Sequence, residues 1–484
     1  MLDVAIIGCG VVGAAAAREL AQYELDLCVL EAENDVATGT TKANSAILHA
    51  GYDPEPGSLM ARLNVRGAQL AKQLCTALDV PRRETGSLVL AFTEEELPHL
   101  EKLYQNGVAN GVPGLQILDA AAVAAREPAL ASVQAALWAP SAAIVNPWEY
   151  ALAMAQNAVQ NGADLRLNTP VTGVEKIDGG WRLHTPAGAV EARFVLNAAG
   201  VHAQQLHEMV APATFATTPC RGEYYLLDKS AGDTVSAVIF QCPTAAGKGV
   251  LVAPTVHGNL IVGPNAEEVD STANTAAGLA EVAQKARKSV PELDLRTSIR
   301  NFAGVRANTD RRDFIIEWAA DGFLDLAGMQ SPGLTAAPAV AEYAAQLLAD
   351  AGLRLCKKPA AQLVTTRHCV RFHELPPAQK AELIARDPAY GRVICRCETI
   401  TEGEILAACR APIPPCSIDG VKRRAGTGMG RCLGGFCGPR VMELLARETG
   451  KSPLDIPQDK AGSTILTGRT KQTKDGQAKG GAGA

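Results

Sequence analysis

Residues 4–31, VAIIGCGVVGAAAARELAQYELDLCVLE, constrain this chain more than any other stretch. The apolar run at 4–7 reads as a parallel strand buried on both faces. It runs into Gly8, Gly10 and Gly13 in the spacing G-x-G-x-x-G. Each glycine has a task in that spacing. The first permits a tight turn, the second close approach of a pyrophosphate to the backbone, and the third contact between helix and strand. A helix over about 13–23 aims its free N–H groups and the positive end of its dipole at the phosphates. A second strand at 27–30 ends in Glu31, 18 positions after Gly13. A carboxylate there accepts hydrogen bonds from an adenosine ribose. Strand, glycines, helix, strand and acid in this order point to an α/β fold holding a dinucleotide.

At 484 residues the chain is expected to form two or three domains. Its net charge of −5 argues against nucleic acid as the main partner. That charge is uneven: residues 391–450 carry +3 and 451–484 another +3, which leaves −11 on the first 390. The apolar run at 4–17 follows Met-Leu-Asp, with no basic residue, so it does not read as a signal peptide. No uninterrupted apolar run reaches membrane-spanning length. Thirteen cysteines, an odd number, point to a reducing cytoplasm.

Beyond Glu31 a small-residue loop, AENDVATGTTKANSAILHAG, offers Thr, Lys, Asn and Ser donors. Helices are expected at 57–78, 94–110, 147–161 (Asn146 as N-cap, Pro147 at its first turn), 278–289 and 334–348. Strands are expected at 86–92, 171–177, 181–185, 194–197, 314–318 and 323–327, and through most of 219–262. Residues 356–390 read as a linker, 391–450 as a compact Cys/Gly-rich module, and 451–484 as a tail, disordered at least from 461 on.

The order of these segments resembles the D-amino acid oxidase-like family of FAD-dependent oxidoreductases over about 350 residues. The resemblance rests on the glycine fingerprint, NAAG at 197–200, FAGVR at 302–306 and GMQSPGLT at 328–335. Within that family, NSAILHAGYDPEPGSLMARL at 44–63 and RGEYYLL at 221–227 are most similar to the glycerol-3-phosphate and L-2-hydroxyglutarate dehydrogenase branch. The resemblance implies a discontinuous Rossmann-type FAD domain, roughly 1–85, 145–215 and 300–355. It also implies an antiparallel-sheet substrate domain, roughly 86–144 and 216–299. It places Gly8, Gly10, Gly13 and Glu31 at the ADP half of FAD, and Thr40, Thr41, Asn44 and Ser45 along the pyrophosphate and flavin. Val171 would touch adenine, Gly200 belongs to the same cofactor set, and Gly333, Leu334 and Thr335 would approach the flavin from a helix N-terminus. The single G-x-G-x-x-G leaves no second site of that kind, so electrons must leave by another route.

Three residues are candidates for the chemistry itself. Arg306 ends an apolar strand, where its planar fork suits a substrate carboxylate or phosphate, or else a local acid such as Asp310. Arg221 is a second candidate anion clamp. His49 either takes a hydroxyl proton as hydride leaves the adjacent carbon, or is a buried structural histidine. Tyr52, Tyr224 and Tyr225 line the pocket or belong to the core.

In the module, Cys395 and Cys397 are followed 35 positions after the latter by Cys432, then by Cys437. Four thiolates bind zinc or an iron–sulfur cluster, and the glycine-rich connection frees N–H groups to bond cluster sulfurs. CRCETITEGEI…DGVKRRAGTGMGRCLGGFCGP resembles the bacterioferritin-associated ferredoxin-like domain, which implies that these four cysteines hold a [2Fe–2S] cluster. Cys409 and Cys416 lie outside that spacing. The expected protein is a cytoplasmic flavoenzyme that oxidises a small anionic 2-hydroxy compound, glycerol 3-phosphate ahead of L-2-hydroxyglutarate and of an amino acid or opine. The electrons pass singly to the cluster and on to a companion flavoprotein or a membrane quinone system. The rival class is an electron-transfer subunit with no substrate of its own.

Overall fold

A computed structural model describes residues 1–243 and 249–470. Residues 244–248, within the expected strand-rich region, and 471–484 of the expected tail lie outside the described residues. The chain forms two compact units, Met1–Val370 and Arg371–Ala484.

Besides a small sheet of Ile47–Leu48, Ala143–Val145 and Arg82–Glu84, two large sheets dominate the first unit. In the first, Leu2–Ile7 lies parallel between Gly188–Asn197 and Leu27–Leu30. Asp164–Arg166 extends one side and Phe323–Ala327 the other, both parallel. Residues 4–7 are buried, as the unbroken apolar run requires. Helix Val11–Leu20 packs against Pro147–Gln160 and Gly333–Asp350. The Pro147–Gln160 helix is capped by Asn146, whose side chain accepts from Glu149 N. Gly67, in helix Leu59–Ala77, permits a close crossing of Gly333–Asp350: a Cβ there would lie 2.2 Å from Thr335 O.

Among the described residues the second sheet has nine strands, mostly antiparallel, from Ser87–Ala91 through Ser298–Arg306. The FAGVR strand therefore does not join the cofactor sheet, as its place at 300–355 implied. It pairs along its length with Cys220–Leu227. That partner lies about 80 residues away in sequence, and strand patterning carries no record of it.

The stretch 356–390, expected as a linker, is bound at both ends. Lys358 N donates to Gln22 O (2.9 Å), Val364 N to Asn161 Oδ1 (2.9 Å), and Arg367 meets Glu149 at 3.2 Å, all within the first unit. From Arg371 on it belongs to the second unit, where Phe372, Leu383 and Tyr390 form a small core of their own and Phe372 N donates to Glu404 Oε1 (3.0 Å). The helix Pro377–Arg386 is part of this addition. The expected tail also starts too early at 451: Ile456 is fully buried in the module's core with Ile405, Val421, Val441 and Leu444.

Candidate functional site

The three glycines separate by what surrounds them. Gly8 has φ +94°, and a Cβ there would lie 2.6 Å from Ala198 O; a Cβ on Gly13 would lie 1.9 Å from Gly8 O. Both are fixed by backbone contact. Gly10 is different: the one atom near its absent Cβ is Thr41 Oγ1 at 3.3 Å, which leaves its open side free for a ligand. The helix that follows has Gly10 at its N-cap with no side-chain cap, so its first amides remain available to an anion, apart from Val11 N, which donates to Thr41 Oγ1 (3.0 Å).

Glu31 follows directly on the strand Leu27–Leu30 and is buried beside the glycine turn. Its carboxylate accepts from Cys9 N (2.7 Å) and Glu33 N (2.9 Å). Burial raises its pKa against the opposing pull of those two amides. A ribose hydroxyl donates to the ionised form, so affinity for FAD is expected to be complete above the raised pKa. It falls as pH drops through that value, at a higher pH than an ordinary carboxylate would give. Glu31→Gln is expected to weaken FAD about tenfold and to flatten this acid limb, measured by flavin fluorescence on titration.

The turn under Gly8 is held by a network that sequence reading missed. Asn197, first residue of NAAG, donates to Asp325 Oδ1 (2.7 Å) and Ala203 O (2.8 Å). Asp325 Oδ2 in turn pairs with His207 Nδ1 at 2.6 Å, and His207 Nε2 donates to Pro212 O (2.9 Å). All three side chains are buried. Gly200, at φ +61°, opens the short helical turn that follows. Val171 packs at the edge of the same sheet's core.

One loop joins this half to the second sheet. Thr41 reaches the glycine helix, while Thr40 Oγ1 donates to Val305 O (2.6 Å). Asn44 braces the turn through Thr41 O (2.8 Å) and Ala46 N (2.8 Å), and Ser45 Oγ lies 3.3 Å from the Tyr224 hydroxyl. The loop presses so closely that a Cβ on Gly304 would lie 1.9 Å from Ala43 O.

Strand alternation then sorts the candidates. Cys220 opposes Arg306, Gly222 opposes Gly304 and Tyr224 opposes Phe302, so these six share the face against which the loop lies. Tyr224 and Phe302 stack at 4.7 Å. Arg306 lies over Gly222, where a Cβ would stand 2.5 Å from its Nη2. Its guanidinium donates to Cys220 Sγ and Asn265 O, both at 3.2 Å, and among the described residues it has no carboxylate partner. Asp310, the local acid considered for it, accepts instead from Ala216 N (3.0 Å).

Arg221, Glu223 and Tyr225 occupy the opposite face. Arg221, expected as a second anion clamp, is buried there, pairs with Glu267 and donates to Ala273 O (2.7 Å). Adjacent positions on a strand point to opposite sides, so it does not share a face with Arg306. Tyr225 hydroxyl donates to Leu279 O (3.2 Å), which removes it from the pocket as well.

His49 is half-buried between the rings of Tyr52 (4.6 Å) and Phe240 (5.9 Å). Its backbone N donates to Thr335 Oγ1 (2.8 Å), tying it to the start of helix Gly333–Asp350, whose N-terminus has no side-chain cap; Leu334 lies half-buried in that first turn. Gly51 N donates to His49 Nδ1 at 3.3 Å, which favours the neutral tautomer bearing hydrogen on Nε2. Tyr52 is core: it is buried, with its hydroxyl 3.4 Å from Ser87 Oγ.

In the second unit the four cysteines converge as their spacing implies. Cys397 Sγ lies 3.8 Å from both Cys395 Sγ and Cys432 Sγ, and the Cys395 thiol bonds Cys437. Cys395 and Cys437 are buried, Cys397 and Cys432 exposed. Backbone N–H groups of Phe436 and Gly434 point at Cys432 and lower its pKa. Gly430 sits so close that a Cβ would meet Cys397 Sγ at 2.6 Å, and buried Thr427 Oγ1 has no partner among the described residues. Crowded thiols, inward N–H groups and a spare hydroxyl fit a sulfide-bridged cluster. Cys409 is a buried thiol in the same hydrophobic core as Cys395 and Cys437.

Comparison with known proteins agrees with both halves. Residues 3–347 match the family described as FAD dependent oxidoreductase, and residues 393–447 the BFD-like [2Fe-2S] binding domain. A glycerol 3-phosphate dehydrogenase of Caloramator mitchellensis is 48% identical over 97% of this chain and 99% of its own length. A glycerol 3-phosphate oxidase of Mycoplasma genitalium is 34% identical over 74% of this chain and 96% of its own. The structure of the L-alpha-glycerophosphate oxidase of Mycoplasma pneumoniae, with FAD bound, superposes with a TM-score of 0.72 at 32% identity, over 76% of this chain and 99% of that one.

Proposed function

Because the chain belongs to the FAD dependent oxidoreductase family and carries a BFD-like [2Fe-2S] binding domain behind it, we propose that it is a glycerol 3-phosphate dehydrogenase that discharges its electrons singly. The observation that carries the substrate reading is Arg306: a half-buried guanidinium with only neutral partners, on the sheet face against which the cofactor loop lies. A cation so placed is short of an anion, and a phosphate supplies one in the geometry its fork prefers. Likeness to glycerol 3-phosphate enzymes over nearly the whole chain supports the same substrate.

FAD, when bound, supplies the hydride acceptor, and the cluster supplies a one-electron outlet. The chain's own residues do the rest. Gly8, Gly10, Gly13, Glu31, Thr41 and Gly200 hold the ADP half; Thr40, Asn44, Ser45, Gly333, Leu334 and Thr335 hold the flavin half, and Val171 lies along adenine. Arg306 anchors the phosphate, and His49 takes the C2 hydroxyl proton as the C2 ketone forms. That role requires His49 to give up its long bond from Gly51 and exchange tautomers, at a cost of about 1 kcal/mol. Cys395, Cys397, Cys432 and Cys437 hold the cluster. No helix among the described residues is long and apolar enough to cross a membrane. We assign the chain to the cytoplasm, delivering electrons to a companion flavoprotein or a quinone-linked acceptor.

Of RGEYYLL, Arg221, Glu223 and Tyr225 lie on the face away from the loop, so they offer the second carboxylate of L-2-hydroxyglutarate no grip beside Arg306. Anaerobic mixing with a panel of glycerol 3-phosphate, L-2-hydroxyglutarate and amino acids decides the matter. Glycerol 3-phosphate is expected to bleach the flavin fastest; bleaching by another member alone, or by none, overturns the reading.

A further inference from the structure

Two of the apolar residues that the second unit exposes lie beside its exposed cluster ligands. Leu433 is 51% and Phe436 60% exposed, both on the turn between exposed Cys432 and buried Cys437. Arg396, between the ligands Cys395 and Cys397, lays its guanidinium over the Phe436 ring at 4.6 Å, and among the described residues it has no carboxylate partner. Cys397 and Cys432 touch at 3.8 Å, so Arg396, Leu433 and Phe436 belong to one patch around the exposed pair of ligands.

Folding does not require this patch. Leu433 has φ +49°, a left-handed conformation that costs a leucine roughly 1 kcal/mol and that glycine or asparagine would take more cheaply. Nor does ligation require a phenylalanine or a leucine between Cys432 and Cys437. Aromatics and arginine are enriched in protein interfaces, and an exposed apolar patch beside them marks a contact surface. The unit is cationic in sum: residues 391–450 carry +3, although Arg392, Arg410, Arg440 and Arg447 are paired with Glu402, Glu443 and Glu448, which leaves Arg396 as the cation at the patch.

We propose that Leu433, Phe436 and Arg396 form the docking face for a small acidic protein that accepts one electron at a time from the cluster. This rests on the electron-transfer role proposed above and places a small acidic carrier between the cluster and the companion flavoprotein or quinone-linked acceptor. Each alcohol oxidised to a ketone releases two electrons and two protons; two acceptor molecules are reduced in turn and the protons pass to water. A positive field draws an acidic carrier to the face, and the two apolar side chains exclude water where the cluster is nearest the surface.

Rubredoxin, small and acidic, serves as probe, with basic cytochrome c as the contrast. Labelled rubredoxin is expected to bind the resting holoenzyme, read by fluorescence anisotropy, and to weaken about tenfold as salt is raised to about 0.5 M. Leu433→Ser with Phe436→Ser, and separately Arg396→Glu, are each expected to weaken binding and rubredoxin reduction about tenfold. Iron content, visible spectrum and flavin bleaching by glycerol 3-phosphate should stay unchanged. Equal binding by the variants, or a preference for cytochrome c, overturns the docking face. So does sedimentation with anionic phospholipid vesicles that these variants lose, which would assign the face to a membrane. Reducing the enzyme with photoreduced deazaflavin keeps the two readings apart: a chain that passes those electrons to rubredoxin through this face, yet is not bleached by glycerol 3-phosphate, loses only the substrate assignment.

Discussion

Replacing Arg306 by methionine is expected to lower kcat/KM for glycerol 3-phosphate about a hundredfold while the protein keeps its flavin. The estimate takes about 3 kcal/mol for a charge-assisted, fork-like contact to a desolvated anion, at about 1.4 kcal/mol per tenfold. Methionine retains most of the stem and packs over Gly222, so the fold should tolerate it. The partners it abandons, Cys220 Sγ and Asn265 O, are neutral, and no charge is left stranded. Arg306→Lys should recover part of the loss, because a point charge attracts phosphate without the fork. The neighbouring arginine supplies the control. Arg221→Met breaks the pair with Glu267 on the other face, and is expected to cost about 1–3 kcal/mol of stability with KM unchanged. Steady-state kinetics and thermal melts on the two variants separate an anion clamp from a structural pair. If Arg306→Met kept its kcat/KM, or Arg221→Met lost it, the face assignment would be wrong.

Cys437→Ala is expected to remove the iron and to cut electron delivery to a one-electron protein acceptor by more than about a hundredfold. Losing a direct ligand should exceed the about 10–100-fold loss typical of the groups that merely support ligands. Cys437 is buried beside Cys395, with Val441 and Leu444 in the module's core, so the module should also lose stability. Flavin bleaching by glycerol 3-phosphate should proceed at its natural rate, since that chemistry belongs to the first unit. Cys409→Ala, which touches the same core, is expected to keep its iron. Iron assay, visible spectrum and stopped-flow bleaching on the two variants provide the measurement. Rapid protein reduction by iron-free Cys437→Ala would take the cluster out of the electron path.

Much of this was legible in the residues. The glycine fingerprint works because backbone collisions at Gly8 and Gly13, and open space at Gly10, are local consequences of a strand–turn–helix. The convergence of the cysteines is local in the same way: Cys395, Cys397, Cys432 and Cys437 fall within 43 residues and bring their own loop with them. The failures share a cause too. Arg221 and Arg306 look alike in sequence, each at a strand end beside small residues. Which face each takes depends on a register between strands about 80 residues apart. The 356–390 stretch looked like a linker because it is rich in proline and scattered charge. Its attachments, Val364 to Asn161 on one side and Phe372 to Glu404 on the other, are tertiary and leave no periodic trace. The His207–Asp325–Asn197 network was invisible for the same reason, although the asparagine of NAAG was in plain view.

The central claim is that one chain oxidises a two-electron substrate at its front and releases single electrons at its back. Anaerobic stopped-flow absorbance combined with freeze-quench EPR tests it on the holoenzyme mixed with glycerol 3-phosphate and a one-electron acceptor. The flavin colour should bleach first, and the signal of a reduced [2Fe–2S] cluster should then rise and decay no more slowly than turnover. A flavin that bleaches and recovers while the cluster stays oxidised throughout would contradict it.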